Sequence, residues 1–367
     1  MKLMRICVII LIVLGVLLLG CGCIEQAPAE AVRTSNTVTD LTNRTVAVPE
    51  NPERVVAFGA GALRHVVYLK ATDIIVGVDD MELGNPNPSG SGMPSGIDRP
   101  YSLANPEIAV LPSIGTRDGD AELIAAQKPD VIFFYWGSDK TATALQEKTG
   151  IPVVALHSGD LGTNKPLFYQ SLRTMAHILD REDRAEDVIT YIDATMQDLS
   201  SRTEGIPDAE KPRVYIAGIA FRGAHGFLST EPNYPPLAMI SGKNVAAGIG
   251  PGGQVLIDKE KLIEWNPEVI FIDEASYALV REDLQDPVYQ SLNAVQNGRV
   301  YGVLPYNWYA NNYDTVLADA YFIGKTLYPD RFSDIDPEQK ADEIYSVLDG
   351  KPVYPDMKAL FGGFKAL

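Results

Sequence analysis

One stretch occurs twice in this chain, and that repeat limits what the chain can fold into more than any other feature. Glu122-Leu-Ile-Ala-Ala-Gln-Lys-Pro129-Asp130-Val131-Ile132-Phe133 and Glu260-Lys-Leu-Ile-Glu-Trp-Asn-Pro267-Glu268-Val269-Ile270-Phe271 share a glutamate, a proline, an acid and a Val-Ile-Phe run, each 138 positions apart. The residue before a proline disfavours the helical region, so a helix ends ahead of each proline. The wholly apolar run that follows reads as a strand buried on both faces, which is the pattern of a parallel sheet. The chain therefore reads as two similar α/β units.

Between the copies lies 165–204. Ala185, Val188, Ile189, Ile192, Met196 and Leu199 recur at helical spacing, with Glu186, Asp187, Asp193, Gln197 and Asp198 on the other face. Asp183 to Thr203 spans 21 residues, about 32 Å of helix. A shorter helix is expected over 167–179, stopped at Asp180-Arg181-Glu182-Asp183, and Gly205-Ile206-Pro207 ends the stretch. Together the two halves predict one rod bridging the α/β units.

With 367 residues, 46% of them apolar, the chain can bury cores for two domains. Its formal charge of −17 argues against nucleic acid or anionic lipid as the main partner. Lys2 and Arg5 precede an apolar run from Ile6 to Leu19, followed by Gly20-Cys21. This is a signal-peptide pattern, shorter than the roughly 20 residues a membrane-spanning helix needs. A cysteine directly after Leu-Leu-Gly resembles a lipobox, which makes Cys21 the candidate lipidation site and Cys23 a second one. No cysteine lies beyond position 23, so the body holds no disulfide. The resulting division is 1–20 signal peptide, 21–38 lipidated tether, 39–164 N-terminal α/β lobe, 165–204 linking helix, 205–330 C-terminal α/β lobe, and 331–367 C-terminal helix and tail. Asn43-Arg44-Thr45 is a lone glycosylation sequon.

Strands are expected at 45–49, 54–58, 74–78, 131–135 and 153–156, and again at 213–217, 269–272 and 299–303. The Gly- and Pro-rich segment from Asp79 to Asp98 has no periodicity, and loops of that length are usually functional or disordered. A helix is expected over 315–327. The last one is marked by Asp336 as N-cap, Pro337 in the first turn, Gln339 at the capping-box position and Gly350 at its end.

Signals for catalysis are weak. Gly59-Ala60-Gly61 follows a strand, but Arg64 holds the third glycine position of a dinucleotide fingerprint, and Gly248 to Gly253 lacks the Lys-Ser/Thr of a P-loop. His65, His157, His177 and His225 show no paired metal-ligand spacing. There is no Gly-x-Ser-x-Gly elbow and no cysteine nucleophile in the body. The aromatic residues at strand ends are more informative. Tyr101, Tyr135, Trp136, Tyr306, Trp308 and Tyr309, with Arg64, Arg99, Arg117 and Arg222, could line a cleft that clasps a large, partly planar anionic ligand. The alternative is that the rings cap the core and the arginines are solvated. Glu122 and Glu260 each fall in a helix's first turn, where an acid favours the macrodipole; as a pair they also place two negative points on matching surfaces.

The leader, the strand Arg54-Val-Val-Ala-Phe58, the repeated Glu-x6-Pro-Asp/Glu-Val-Ile units and the long linking helix resemble the substrate-binding proteins of ABC importers for ferric siderophores, haem and cobalamin. The resemblance implies an α/β fold of two Rossmann-like three-layer lobes joined by a single long α-helix, with the ligand cleft between the lobes. It implies a monomer, anchored by lipid outside the cell, that has no enzymatic activity or cofactor of its own. Such a protein would carry a metal chelate, foremost a ferric siderophore, to a permease and its ATPase. Glu122 and Glu260 would be the permease-docking acids. A zinc or manganese importer's binding protein is the nearest alternative, and four dispersed histidines speak against it. A chelatase-like enzyme on a similar scaffold is the other.

Overall fold

Both copies of the repeat fold into the same corner of the architecture, and the same bonds hold each one. The structure is a computed structural model that describes residues 35–83, 98–250 and 252–367. The predicted signal peptide, Cys21, Cys23 and the middle of the 79–98 loop lie outside the described residues.

In the N-terminal lobe β3 (Val55–Phe58), β4 (Ile75–Gly77), β5 (Val131–Tyr135) and β6 (Val153–Leu156) form a parallel sheet in the order β4-β3-β5-β6. The C-terminal lobe repeats the design with β7 (Arg213–Ala217), β9 (Lys243–Asn244), β11 (Val269–Asp273), β12 (Val300–Val303) and β13 (Lys365–Ala366). Their order is β13-β12-β11-β7-β9, all parallel except the antiparallel edge strand β13. The repeat thus supplies the inner strand of each sheet, β5 and β11, whose Val-Ile-Phe residues are fully buried.

The repeated acid and the preceding backbone explain why each unit closes. Asp130 Oδ2 accepts from the backbone N–H groups of Glu53 and Arg54 at 2.9 and 3.0 Å, pinning the start of β3 beside β5. Glu268 Oε2 accepts from the Arg213 N–H at 2.8 Å and does the same for β7 beside β11. In return Arg54 donates to the carbonyls of Lys128 and Gln127, and Arg213 to those of Trp265 and Asn266. Those carbonyls end the helices Ala121–Ala126 and Lys259–Trp265 and would otherwise lack partners. Lys128 and Asn266, at matching repeat positions, both turn left-handed with φ of 50° and 38°.

Three elements differ from the sequence expectation. Residues 35–38 do not belong to the tether: β1 (Ser35–Thr39) pairs antiparallel with β2 (Thr45–Pro49), and Val38, Val46 and Val48 are buried. The stretch 165–204 is not one rod either. Lys165–Leu179 and Glu182–Thr203 are separate helices, with Asp180 left-handed at φ 55° and ψ 53° between them. Arg173 pairs with Glu186 at 2.6 and 2.9 Å, and Lys165 and Tyr169 both reach Asp193 at 2.8 Å. In a straight helix Arg173 and Glu186 would stand about 20 Å apart. The halves therefore fold back antiparallel, and the 22-residue second arm alone is the linking helix. Finally, the C-terminal tail is ordered as a helix, Tyr354–Phe361, and β13.

The linking helix is tied at both ends. Arg184 donates to the Tyr68 carbonyl at 2.8 Å on one side and to the Val347 carbonyl on the other. Arg202 forks onto Asp334 at 2.7 and 2.9 Å. The Asp336 cap forms as expected, accepting from Glu338 and Gln339 N–H groups ahead of the helix Pro337–Leu348.

The hairpin predicts the sign of one substitution. In a continuous helix Asp180→Gly would cost up to about 1 kcal/mol, whereas at a left-handed turn glycine removes steric strain. The expected result is a neutral to stabilising change, by up to about 1 kcal/mol, in the urea midpoint.

Candidate functional site

The carboxyl ends of both sheets face one another, and the loops leaving them meet in a seam. From the first lobe come the Gly59-Ala60-Gly61 turn, Asp79, Trp136 and Ser158; from the second come 218–225 and 305–312. Gly59 cannot be replaced, because a Cβ there would lie 2.6 Å from the Tyr135 carbonyl oxygen. Trp136, Arg222, Tyr309 and Ala310 all have positive φ, between 53° and 65°. Non-glycine residues in that region carry local strain and cluster at binding sites.

Arg64, in the helix Ala62–Tyr68, is fully buried and reaches across the seam. Its Nε and Nη2 donate to Asn312 Oδ1 at 3.2 and 2.9 Å, and Nη2 also donates to the Tyr309 and Ala310 carbonyls. Among the described residues Nη1 has no hydrogen-bond partner, and neither does the buried Ser158 Oγ. Both lie against Gly61, where a Cβ would meet Ser158 Cβ at 2.8 Å and Arg64 Nη1 at 3.3 Å. Tyr309 returns the contact by donating to Asp79 Oδ2 at 2.7 Å, while the Gly59 N–H donates to the same oxygen at 3.2 Å. Tyr68 donates to Asp314 at 2.6 Å, and Tyr313 to the Ser158 carbonyl.

The other candidate ligand residues divide sharply by burial. Arg99 is buried in an ion pair with Glu82, shares Tyr101 with it, and lies 4.8 Å from the Tyr309 ring. Tyr135 is buried on His65, with 2.6 Å between its hydroxyl and Nδ1. Tyr306 is buried and donates to Glu231. Trp308 is half-buried, and its indole N–H has no partner among the described residues. Arg117 is exposed beside Asp118, and Arg222 is exposed over the Phe221 ring. Trp136 is 54% exposed and packs 3.8 Å from the His157 ring, and Phe221, in the second lobe, is 46% exposed. Glu122 and Glu260 are both exposed in the first turns of their helices.

Beside the seam opens a pocket of about 820 Å³. The 160–164 loop of the first lobe, Met196 of the linking helix, and the 231–244 and 306–311 segments of the second lobe line it. Its lining includes Asp160, Glu231 and the amides of Asn164, Asn233, Asn244, Asn307 and Asn311, and, among the described residues, no lysine, arginine or histidine. Among the described residues no three of His, Cys, Asp or Glu are grouped as a metal site.

The comparisons with known proteins fit this geometry. The sequence profile of the periplasmic binding protein family matches residues 55–306. The chain belongs to that family. It is the extracytoplasmic substrate-binding protein of an ABC transporter, and its homologues are transport proteins that work with permease and ATPase components. The chain is 24% identical to the molybdate-binding protein MolA of Haemophilus influenzae over 92% of this chain and 97% of MolA. It is 21% identical to the petrobactin-binding protein YclQ of Bacillus subtilis over 71% of this chain and 78% of YclQ. The structure of MolA with molybdate superposes with a TM-score of 0.66 at 22% identity, covering 86% of this chain and 98% of MolA. A periplasmic solute-binding protein from Veillonella parvula gives 0.68 at 21% identity, covering 89% and 97%.

Sequence reasoning missed the pocket-lining acid of this binding protein. Glu231 sits in a Thr-Glu-Pro-Asn run without periodicity, and its partner Tyr306 is 75 positions away. Behind it the end of β11 and the helix Tyr313–Leu327 carry more buried acids. Asp273 accepts from the Ala220 and Ala275 N–H groups, and Asp319 from the Leu304 N–H and Tyr234 hydroxyl. Glu274 accepts from the Gly363 N–H. Burial pushes all four up, Asp273 to about 6, Glu231 to about 7 and Glu274 to about 8, and Asp319 well above the carboxylate range.

Glu274, away from the pocket, allows a test. Unfolded, it ionises near pH 4.5; folded, it keeps its proton to about 8. Its contribution to stability is full below pH 4.5 and is lost as pH rises through 8. Urea midpoints of wild type and Glu274→Gln, measured at pH 5, 6.5 and 8, should diverge progressively in favour of the variant toward high pH.

Proposed function

We propose that this binding protein captures a metal chelate, foremost a ferric siderophore, outside the cell and delivers it to the permease. The observation that carries this reading is the pocket of about 820 Å³. That volume lies within the ~300–1,000 Å³ of sites for organic ligands and far exceeds what a bare tetrahedral oxyanion fills. Walls from both lobes and from the linking helix suit it to a ligand whose capture is sensed by the relative position of the lobes. The likeness to a petrobactin-binding protein supports the same cargo class. Trp136 and Phe221 offer exposed rings at the edge of the seam. In this reading the protein needs no resident cofactor, works as a monomer, and is held to the membrane through Cys21. Glu122 and Glu260 set the docking geometry on the permease.

A second reading, a free oxyanion such as molybdate, is favoured by one specific feature. Arg64 Nη1 and Ser158 Oγ are buried, adjacent and, among the described residues, unpartnered, and the likeness to MolA points the same way. An oxyanion there would have to part the seam, since Gly61, Ser158 and Ala310 close around the guanidinium.

Intrinsic fluorescence of the 35–367 body separates the two readings. Titration with ferric siderophores, haem and cobalamins is expected to give saturable quenching by a chelate and none by molybdate, zinc or manganese. Saturation by molybdate alone would move the cargo to Arg64. The double variant Glu122→Ala/Glu260→Ala should keep the wild-type dissociation constant and lose transport in reconstituted vesicles; weakened binding would contradict the docking role.

A further inference from the structure

The pocket's charge says what kind of chelate it can take, an inference that rests on the pocket being the cargo site. Glu231 is 8% exposed. Its Oε2 accepts from the Tyr306 hydroxyl, Glu231 lines the pocket, and Oε1 takes no hydrogen bond from the described residues. A carboxylate withdrawn this far from bulk water gains from any donor that pairs its second oxygen. The charged groups around it are all acids or phenols. Asp160 faces it from the 160–164 wall, though its oxygens are taken by Gly162 and Asn164. Asp273, Asp319 and the Tyr234 hydroxyl stand behind it, their carboxylates fixed by backbone N–H groups. Among the described residues no basic side chain lines the pocket, and the two buried arginines of the seam are held by Asn312, Glu82 and backbone carbonyls. The second oxygen of Glu231 therefore meets no donor from the described residues, and a donor on the cargo can pair it.

We infer that Glu231 Oε1 anchors a cationic, N–H-bearing group of the cargo, so that the pocket selects neutral or positively charged chelates and rejects polyanionic ones. Such a group completes the carboxylate's bonding and meets the charge of Glu231 and of Asp273 behind it, whereas a polyanion meets the same charges as repulsion at short range. The apolar floor of Met196, Leu237 and Met239 takes the organic framework. With Glu231 ionising near 7, the anchor is present above that pH and fades below it.

Three ferric complexes of similar size test the inference: a trishydroxamate with a free ammonium arm, the same complex with that arm acetylated, and a triscatecholate trianion. Wild type should bind the ammonium form at least tenfold tighter than the acetylated form and leave the trianion unbound. Glu231→Gln, whose amide oxygen can still accept from the Tyr306 hydroxyl, should bind the ammonium and acetylated complexes with equal affinity. Thermal unfolding of the variant controls for folding. The ammonium preference of wild type should also shrink between pH 8 and pH 6. Equal binding of ammonium and acetylated forms by wild type, or tightest binding of the trianion, overturns the anchor while leaving the chelate reading standing. No binding of any of the three overturns the chelate reading and the anchor with it.

Discussion

The acid after each repeated proline sets the rest of this structure. Asp130 and Glu268 hold the first N–H groups of β3 and β7, and Arg54 and Arg213 hold the last carbonyls of the preceding helices. Each pair closes a helix end and a strand start at once, so two neighbouring strands and one helix acquire a fixed mutual register. These groups sit near the surface, where a single charged hydrogen bond contributes about 1.5–3 kcal/mol at most. Their importance is positional. The opposite ends of the same strands carry Gly59, Trp136, Ala220 and Asp273, and a strand slipped by one residue would turn each of these to the other face.

With the strand ends fixed, the lobes meet through groups that satisfy one another only when they are together. Arg64 gives four hydrogen bonds to the second lobe, from Nε and Nη2, and Tyr309 gives its hydroxyl to an acid of the first. Separating the lobes would strand Asn312, Asp79 and a guanidinium unless water replaced every partner. The linking helix adds Arg184, whose guanidinium bonds to backbone on both sides. Relative motion of the lobes is thus opposed at the seam and along the back of the molecule. A ligand that enters beside the seam can shift such an arrangement only by its differential affinity for the two positions.

The sheets were legible because buried parallel strands are continuous apolar runs, and Val131 to Tyr135 and Val269 to Asp273 could hardly be anything else. The linking helix was legible from one stripe of six apolar residues. The hairpin was not: Asp180 tolerates the left-handed region about as readily as it caps or interrupts a helix, and periodicity within each arm says nothing of which way the next arm runs. The edge strands β9 and β13, two residues long, carry no pattern to read. For the site, sequence pointed to the strand-end loops and their aromatic and basic residues but could not assign each side chain to seam or pocket, and of the ten candidates only Tyr306 lines the pocket. Arg64 and Arg222 look alike in sequence, yet one is wholly buried and the other exposed. That difference is made by Asn312 and the 309–310 carbonyls, nearly 250 positions away.

The division of charge between seam and pocket follows from the same packing. The buried cations Arg64 and Arg99 lie where Asp79 and Glu82 are also buried, and their charges largely cancel there. Glu231, Asp273 and Asp319 have no such neighbour, and burial answers by holding their protons rather than by recruiting a base. In a chain of net charge −17, distant surface acids are screened within about 10 Å by salt, so the field in the pocket is set by those of the three that ionise, Glu231 and Asp273. Asp273 is already paired by two backbone N–H groups, and Asp319 by one backbone N–H and the Tyr234 hydroxyl. Of the three, Glu231 lines the cavity with an oxygen that takes no hydrogen bond from the described residues, and it is the point at which the electrostatics of the second lobe reach whatever the pocket holds.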